Sequence, residues 1–285
     1  HDTGIVVRGP IVQDVNDHFV EVFNEARVNN SGGPESRGLE IEQLAYADFD
    51  APPVAAPSPA LPDPAERSWV LTTYPEGNDY NYRGIFMAAL AAARKNIYIE
   101  NAFFSDPLVA HMLVRKAREF RARVSCDGLD PAACAELRAD GLQIHLIVPD
   151  SSDKPIIDAV GTADFHEMLH LGVKIYRWKP ASGWSAKKSL HSKAWLVDYE
   201  PGQSALSYVG SANATQRSHV ADNEVGILTT SPAFADSLYA RLFAPDLLVD
   251  ARRESPEHFH VVAARPAIQA SKSLQKLLVS MFWFF

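Results

Sequence analysis

Residues 189–200 read SLHSKAWLVDYE, a histidine and a lysine two positions apart at the head of an apolar run. The run reads as a strand, and on a strand alternate residues share a face. His191 and Lys193 therefore point one way, while Ser192, Ala194, Leu196 and Asp198 point the other. Burying an imidazole and an ammonium beside a core costs free energy unless something uses them. The pair is expected to face a ligand or a reacting group. Asp198, on the opposite face, is expected to serve a structural hydrogen bond rather than to assist His191.

Strand and helix patterns alternate around this stretch from residue 68 onward. SWVLTTYP, NIYIENAFF, LQIHLIVP and VKIYRW read as strands ahead of it, and ALSYVG and NEVGILTT as strands after it. YRGIFMAALAAARK, DPLVAHMLVRKAREFRA, KPIIDAVGTADFHEMLHLG and SPAFADSLYARLFAP read as helices, the second with proline in its first turn. The alternation predicts an α/β fold, a central mixed β-sheet flanked by helices on both faces. Near the start, GIVVRG reads as a strand. IVQDVNDHFVEVFNEAR reads as a helix, with Val12, Val15, Phe19, Val22 and Phe23 near helical spacing. APPVAAPSPALPDP is too rich in proline for a helix or a central strand. The expected organisation is a leading segment 1–28, a Pro-rich linker or loop 29–67, a lobe 68–245 and a C-terminal extension 246–285.

Downstream of the motif strand comes YVGSANATQRSHVADNEVGIL. Gly210 and Ser211 end a strand, and Ser211 suits a helix N-cap. Asn213 would then stand in a first helical turn, where free backbone amides favour anions such as phosphate. Glu224 opens the next strand. A carboxylate there would hold the second ring nitrogen of His191 and set its tautomer. His191, Lys193, Asn213 and Glu224 together suit attack on a phosphodiester: an acid/base or nucleophilic group, plus donors for the phosphate oxygens. No cofactor or metal is called for, because Lys193 and Asn213 would neutralise the developing charge.

HSKAWLVD fits the pattern H-x-K-x4-D, and GSAN followed by NE fits its downstream companion. These residues resemble the phospholipase D superfamily. The resemblance covers roughly residues 68–245, and IYIENAFF, QIHLIVPDSSD and LGVKIYRW look like that family's preceding strands. It implies a phospholipase D-type lobe, a phosphohistidine intermediate and no metal. It also implies a site built from two such motifs across a pseudo-twofold axis, whereas this chain carries one H-x-K. HDTGIVVRGPIVQDVNDHFVEVFN resembles the segment that follows the first motif in two-motif members, and the first residue is His1 rather than Met. The chain is therefore expected to be the C-terminal half of a longer protein, with 1–28 a remnant of the preceding lobe. A missing N-terminal half, or a second copy of the chain, would complete the site. In two-motif members the first histidine is the usual nucleophile, which implies for His191 the role of general acid and then base. The implied activity is phosphodiester cleavage or transfer on phospholipids, as in a phospholipase D or a cardiolipin synthase-like protein. The resemblance points to a membrane-associated or secreted protein.

Other readings make different predictions. Single-motif members of the superfamily pair to cut nucleic acid, but a formal net charge of −8 and a pI near 5.7 disfavour a nucleic-acid partner. A degenerate copy would be a non-catalytic membrane-binding or assembly module. HEMLH, from His166 to His170, matches the zinc-protease pattern H-E-x-x-H. Its helix stops at once, Gly172 is one residue early and Tyr176 stands where a third histidine belongs, so a chance match is expected. RWKPASGWSAKKS carries Trp178, Lys179, Trp184, Lys187 and Lys188, a set that suits either a lipid interface or an ordinary loop. The apolar tail SLQKLLVSMFWFF is too short to span a bilayer and suits docking on a membrane or on protein. Cys126 and Cys134 suit a small disulfide loop or two free thiols.

Overall fold

The structure, a computed structural model, describes residues 2–7, 9–30, 66–123, 128, 130, 132, 134, 141–150, 162–179, 190–257 and 259. Eight strands form one sheet: β1 (Ser68–Thr73), β2 (Asn96–Asn101), β3 (Gln143–Pro149), β4 (Lys174–Trp178), β5 (Lys193–Val197), β6 (Leu206–Gly210), β7 (Glu224–Thr229) and β8 (Ala251–Arg253). Their order is β1-β7-β6-β5-β2-β3-β4-β8. β2, β3 and β4 run parallel to one another and every other pairing is antiparallel, so the sheet is mixed. Central β5 is buried at all five positions, which suits a strand covered on both faces.

Two apolar layers cover those faces. Helices α2 (Asn81–Ala92), α3 (Pro107–Arg123) and α4 (Phe165–His170) pack Phe86, Leu90, Leu113 and Phe165 against Ile97, Leu146, Trp195 and Tyr208. On the other face α6 (Pro232–Leu238) and the π-helical turns that follow set Leu238, Leu242 and Phe243 against Ile147, Ala194, Leu196 and Val209. Helix α1 (Ile11–Asn30) lies on β1; the His18 and Tyr74 rings meet edge-on at 5.8 Å and the Tyr74 hydroxyl donates to Glu25. A short helix, α5 (Gln216–Val220), had no counterpart in the sequence reading.

Several expectations change. Residues 2–7 of the GIVVRG region form no strand, because they have no neighbour in the sheet to bond. The leading helix runs to Asn30, past the expected boundary at 28. The sheet also runs past residue 245. β8 pairs with β4, and Trp178 Nε1 donates to buried Asp246 at 3.1 Å. Three polar-flanked residues are too few to announce a strand by pattern. The proline-rich stretch, residues 154–161 of the KPIIDAVG helix, Cys126 and the apolar tail lie outside the described residues; Cys134 is disulfide-bonded.

Asp198 fixes the far end of β5. It adopts a left-handed φ of 57°, a conformation aspartate tolerates better than most residues. Its Oδ1 accepts from the Arg94 and Lys95 amides at 2.8 and 2.7 Å. Next to it, Asn96 and Tyr199 exchange two bonds of 2.8 Å.

His145 carries a stability prediction. It is buried on β3 between the Tyr98 and Tyr176 rings, 4.7 and 5.9 Å away, and its Nδ1 has no hydrogen-bond partner among the described residues. Burial first, then the Lys174 and Arg253 charges, push its pKa down to about 3. The unfolded chain takes up this proton near pH 6.5, while the native state resists it. Stability is therefore full above that pH and falls as pH drops towards 3. We predict that His145→Phe, which keeps a ring in the stack, loses less stability between pH 7 and 5 than wild type. The expected difference is about 2 kcal/mol. Parallel urea melts at the two pH values check it; equal losses in both proteins would refute it.

Candidate active site

The ends of β2 and β6 and the starts of β5 and β7 meet at one end of the sheet. Lys193 opens β5 opposite Asn101 in the register and is only 6% exposed. Its Nζ donates to the His191 carbonyl oxygen at 2.5 Å. Burial lowers its pKa, and the Asp2 and Glu224 carboxylates oppose that shift without cancelling it. His191 stands just ahead of β5, not within it, with its side chain 59% exposed. Its neighbour Ser192 is fully buried. The Ser192 hydroxyl donates to buried Glu100, and its carbonyl accepts from the Ala102 amide at 3.1 Å. The end of β2 thus grips the middle residue of the His-Ser-Lys triplet and aims the outer two.

The carboxylate on the His191 ring comes from an unexpected place. Nδ1 lies 3.2 Å from Asp2 Oδ2, 189 residues away in sequence. Partial burial is the largest single influence on the Asp2 pKa and raises it, but the hydrogen bonds from His191 and the Thr3 amide and the His191 and Lys193 charges together outweigh it, and the net shift is downward. Glu224 instead accepts from Ser211 Oγ at 2.5 Å. The reason is geometric: β7 is two strands from β5, about 10 Å. Glu224 faces the same end of the sheet, buried at 7% exposure, and acts on Lys193 through its charge.

Ser211 is not a helix cap. Its amide donates to the Val225 carbonyl at 2.9 Å, and its hydroxyl accepts from the Val225 amide at 3.0 Å, tying the end of β6 to the start of β7. Thr215 caps α5, so Asn213 stands in the connecting loop and not in a first helical turn. The Asn213 Oδ1 is buried and has no hydrogen-bond partner among the described residues. Gly210 allows a close crossing, since a Cβ there would lie 2.7 Å from Gly226 Cα and 2.1 Å from the Tyr208 hydroxyl.

The site therefore gathers His191, Lys193, Asn213 and Glu224 near one sheet end and adds Asp2, Glu100 and Asn101. The last two stand in NIYIENAFF, where a carboxylate ending an apolar strand was the available signal. No local pattern marks Asp2. His166 and His170 lie at the opposite end of the sheet with Nε2 atoms 3.2 Å apart, and Glu167 is paired with Arg118. Among the described residues no group of three or more His, Cys, Asp or Glu could hold a metal. Trp178 is a core residue bonded to Asp246, not an interfacial aromatic; residues 180–189 are outside the described set.

A family model described as the PLD-like domain of cardiolipin synthase matches residues 86–244, more than half of the chain. The chain belongs to the phospholipase D superfamily. The match spans His191, Lys193, Asp198, Asn213 and Glu224 of this phospholipase D-type lobe. The lobe is similar to cardiolipin synthase A of Pseudomonas putida (strain W619), 25% identical over 217 residues that make up 74% of this chain and 38% of that protein. It is 31% identical over 139 residues to the cardiolipin synthase of Geobacillus sp. (strain WCH70), covering 48% of this chain and 24% of the relative. The chain thus spans well under half the length of these curated relatives. Among solved structures it matches a phospholipase D family member, Nuc from Salmonella typhimurium, at 16% identity and a TM-score of 0.46, over 67% of this chain and 99% of that one.

Proposed function

We propose that this lobe carries out phosphatidyl transfer or hydrolysis on phospholipids through a phosphohistidine step. The observation that carries the reading is the engagement of His191 Nδ1 by Asp2 at 3.2 Å beside the buried Lys193. A carboxylate accepts only, so Nδ1 holds the proton and Nε2 keeps its lone pair for chemistry. Lys193 places a cation where phosphate oxygens would sit, and Asn213 offers an amide donor. In the proposed reaction one histidine Nε2 forms a bond to phosphorus while the P–O bond to the leaving alcohol breaks. A second histidine protonates that oxygen. Water or an acceptor alcohol then gives up its proton to the second histidine and displaces the first. One H-x-K supplies one of these histidines, so the other comes from a preceding segment or from a second copy. The phospholipid substrate is supported by the cardiolipin synthases among the relatives. No described helix is long and apolar enough to cross a membrane.

The test follows products from phosphatidylglycerol and phosphatidylcholine vesicles in EDTA, with single-stranded DNA in a parallel tube. The protein is assayed both as its gene encodes it and as this chain alone. EDTA-resistant turnover of lipid is expected, strongest for the protein as encoded. Cleavage of DNA with no lipid turnover would replace the lipid reading with a nuclease. Loss of all turnover in EDTA, restored by a divalent metal, would remove the metal-independent mechanism.

A further inference from the structure

Behind the candidate site lies a second histidine–carboxylate pair that the proposed reaction does not use. His219 Nδ1 stands 2.5 Å from Asp106 Oδ2, and both side chains are buried, at 0% and 1% exposure. No substrate can reach them, so neither is a nucleophile. Burying such a pair is no cheap way to gain stability, because desolvation offsets the attraction. Its position suggests what it does instead. The Asp106 amide and the Ser105 amide both donate to the Ala214 carbonyl at 2.9 Å. The Ala214 amide donates to Asn101 Oδ1 at 3.1 Å, and Asn101 Nδ2 reaches the Ala212 carbonyl at 3.5 Å. The residues on both sides of Asn213 are thus held by Asn101 at the end of β2, and Ala214 also by the loop that follows it; both are fully buried. His219 closes the ring from the other side: it belongs to α5, which Thr215 caps, and its amide donates to the Thr215 carbonyl at 3.2 Å.

We propose that the buried Asp106–His219 pair, with Asn101, is a positioning device for Asn213, locking the loop 212–215 so that the carboxamide is aimed before substrate arrives. Asn101 is also the register partner of Lys193, so one residue sets the spacing between the cation and the amide donor. The inference rests on the reading of Asn213 as a phosphate-binding group. A preorganised donor gains its effect from fixed geometry, and a shift of about 1 Å can cost about a hundredfold in rate.

The test uses the protein as its gene encodes it, with phosphatidylglycerol vesicles as substrate. His219→Phe removes the donor to Asp106 and keeps a ring against Tyr82 and Phe86. The expected result is a kcat lowered by about 30-fold with KM within about twofold. His219→Asn, whose amide nitrogen can stand near the former Nδ1, is expected to recover most of that loss. In an Asn213→Ala background His219→Phe should cost nothing further, since residues that act through one another are not additive. Full multiplicative loss in the double variant would overturn the proposal and leave the pair as scaffold. Hydrogen exchange gives a readout free of turnover: the Ser105, Asp106 and Ala214 amides should exchange faster in His219→Phe, and unchanged exchange would also overturn it. If His219→Phe does not fold, Asn101→Ser enters the same cycle with the same two outcomes. Wild-type turnover in Asn213→Ala would instead remove the phosphate-binding role of Asn213, and this inference with it. Loss in Asn213→Ala with an additive His219→Phe would remove only the positioning role.

Discussion

Replacing His191 with alanine is expected to lower kcat by about a thousandfold, the range for loss of an acid/base group, and to move the melting midpoint by less than about 2 °C. The separation of the two effects follows from the geometry. The His191 side chain is 59% exposed and stands ahead of β5, outside the packed strand. Its ring partner, Asp2, is 68% exposed, so removing the imidazole leaves no stranded buried charge. A scaffold residue behaves the other way, losing stability before activity. Vesicle assays and a thermal melt on one preparation check the prediction. Retention of a third or more of wild-type turnover would sink the role given to His191.

Lys193→Met is expected to cost a further kind of loss, about a hundred- to a thousandfold in kcat. Methionine fills the same unbranched volume without the charge, so packing along the head of β5 is kept. Desolvation already works against the ammonium, which is why its pKa is lowered. Its removal should therefore change stability little. Arginine should not restore the activity, because a planar fork needs a different cavity from a compact ammonium. The lowered pKa adds a pH signature. A group that must stay protonated loses its proton as pH rises, so wild-type activity should fall on the alkaline side below the ordinary lysine range. An alkaline limb at or above that range would argue that another group titrates. Lys193→Met with near wild-type kcat would remove the cation from the proposed mechanism.

The parts of this site that sequence made legible are those that depend on short range. Strand alternation placed Lys193 at the head of a buried strand, and the x4 spacing set Asp198 apart from the chemistry. The parts it hid depend on pairings over long separations. Asp2 reaches His191 across 189 residues, and Asp106 reaches His219 across 113. No periodicity within either segment encodes such a meeting. Ser211 was misread because a serine after a strand fits a helix cap equally well. Only the pairing of β6 with β7, which puts Val225 beside it, shows that the chain had not yet turned into helix. The same pairing puts Glu224 on Ser211 and not on His191. β8 was missed because three residues carry too little pattern, and GIVVRG was overread because alternation cannot reveal whether a strand has a neighbour.

The two ends of β5 are each tied to a different part of β2 and its approach. Asp198 holds the Arg94 and Lys95 amides, and Ser192 holds Glu100 five residues further on. β5 is thus a ruler fastened at both marks. Adding or deleting one residue between Lys193 and Asp198 would detach one end and send every following side chain to the opposite layer. The turn 201–204 between β5 and β6 is exposed and hangs on one side chain, Asp236, which accepts from the Gly202 amide at 3.1 Å. Length variation among descendants of this fold should collect there, and the count of four between the lysine and the aspartate should not drift.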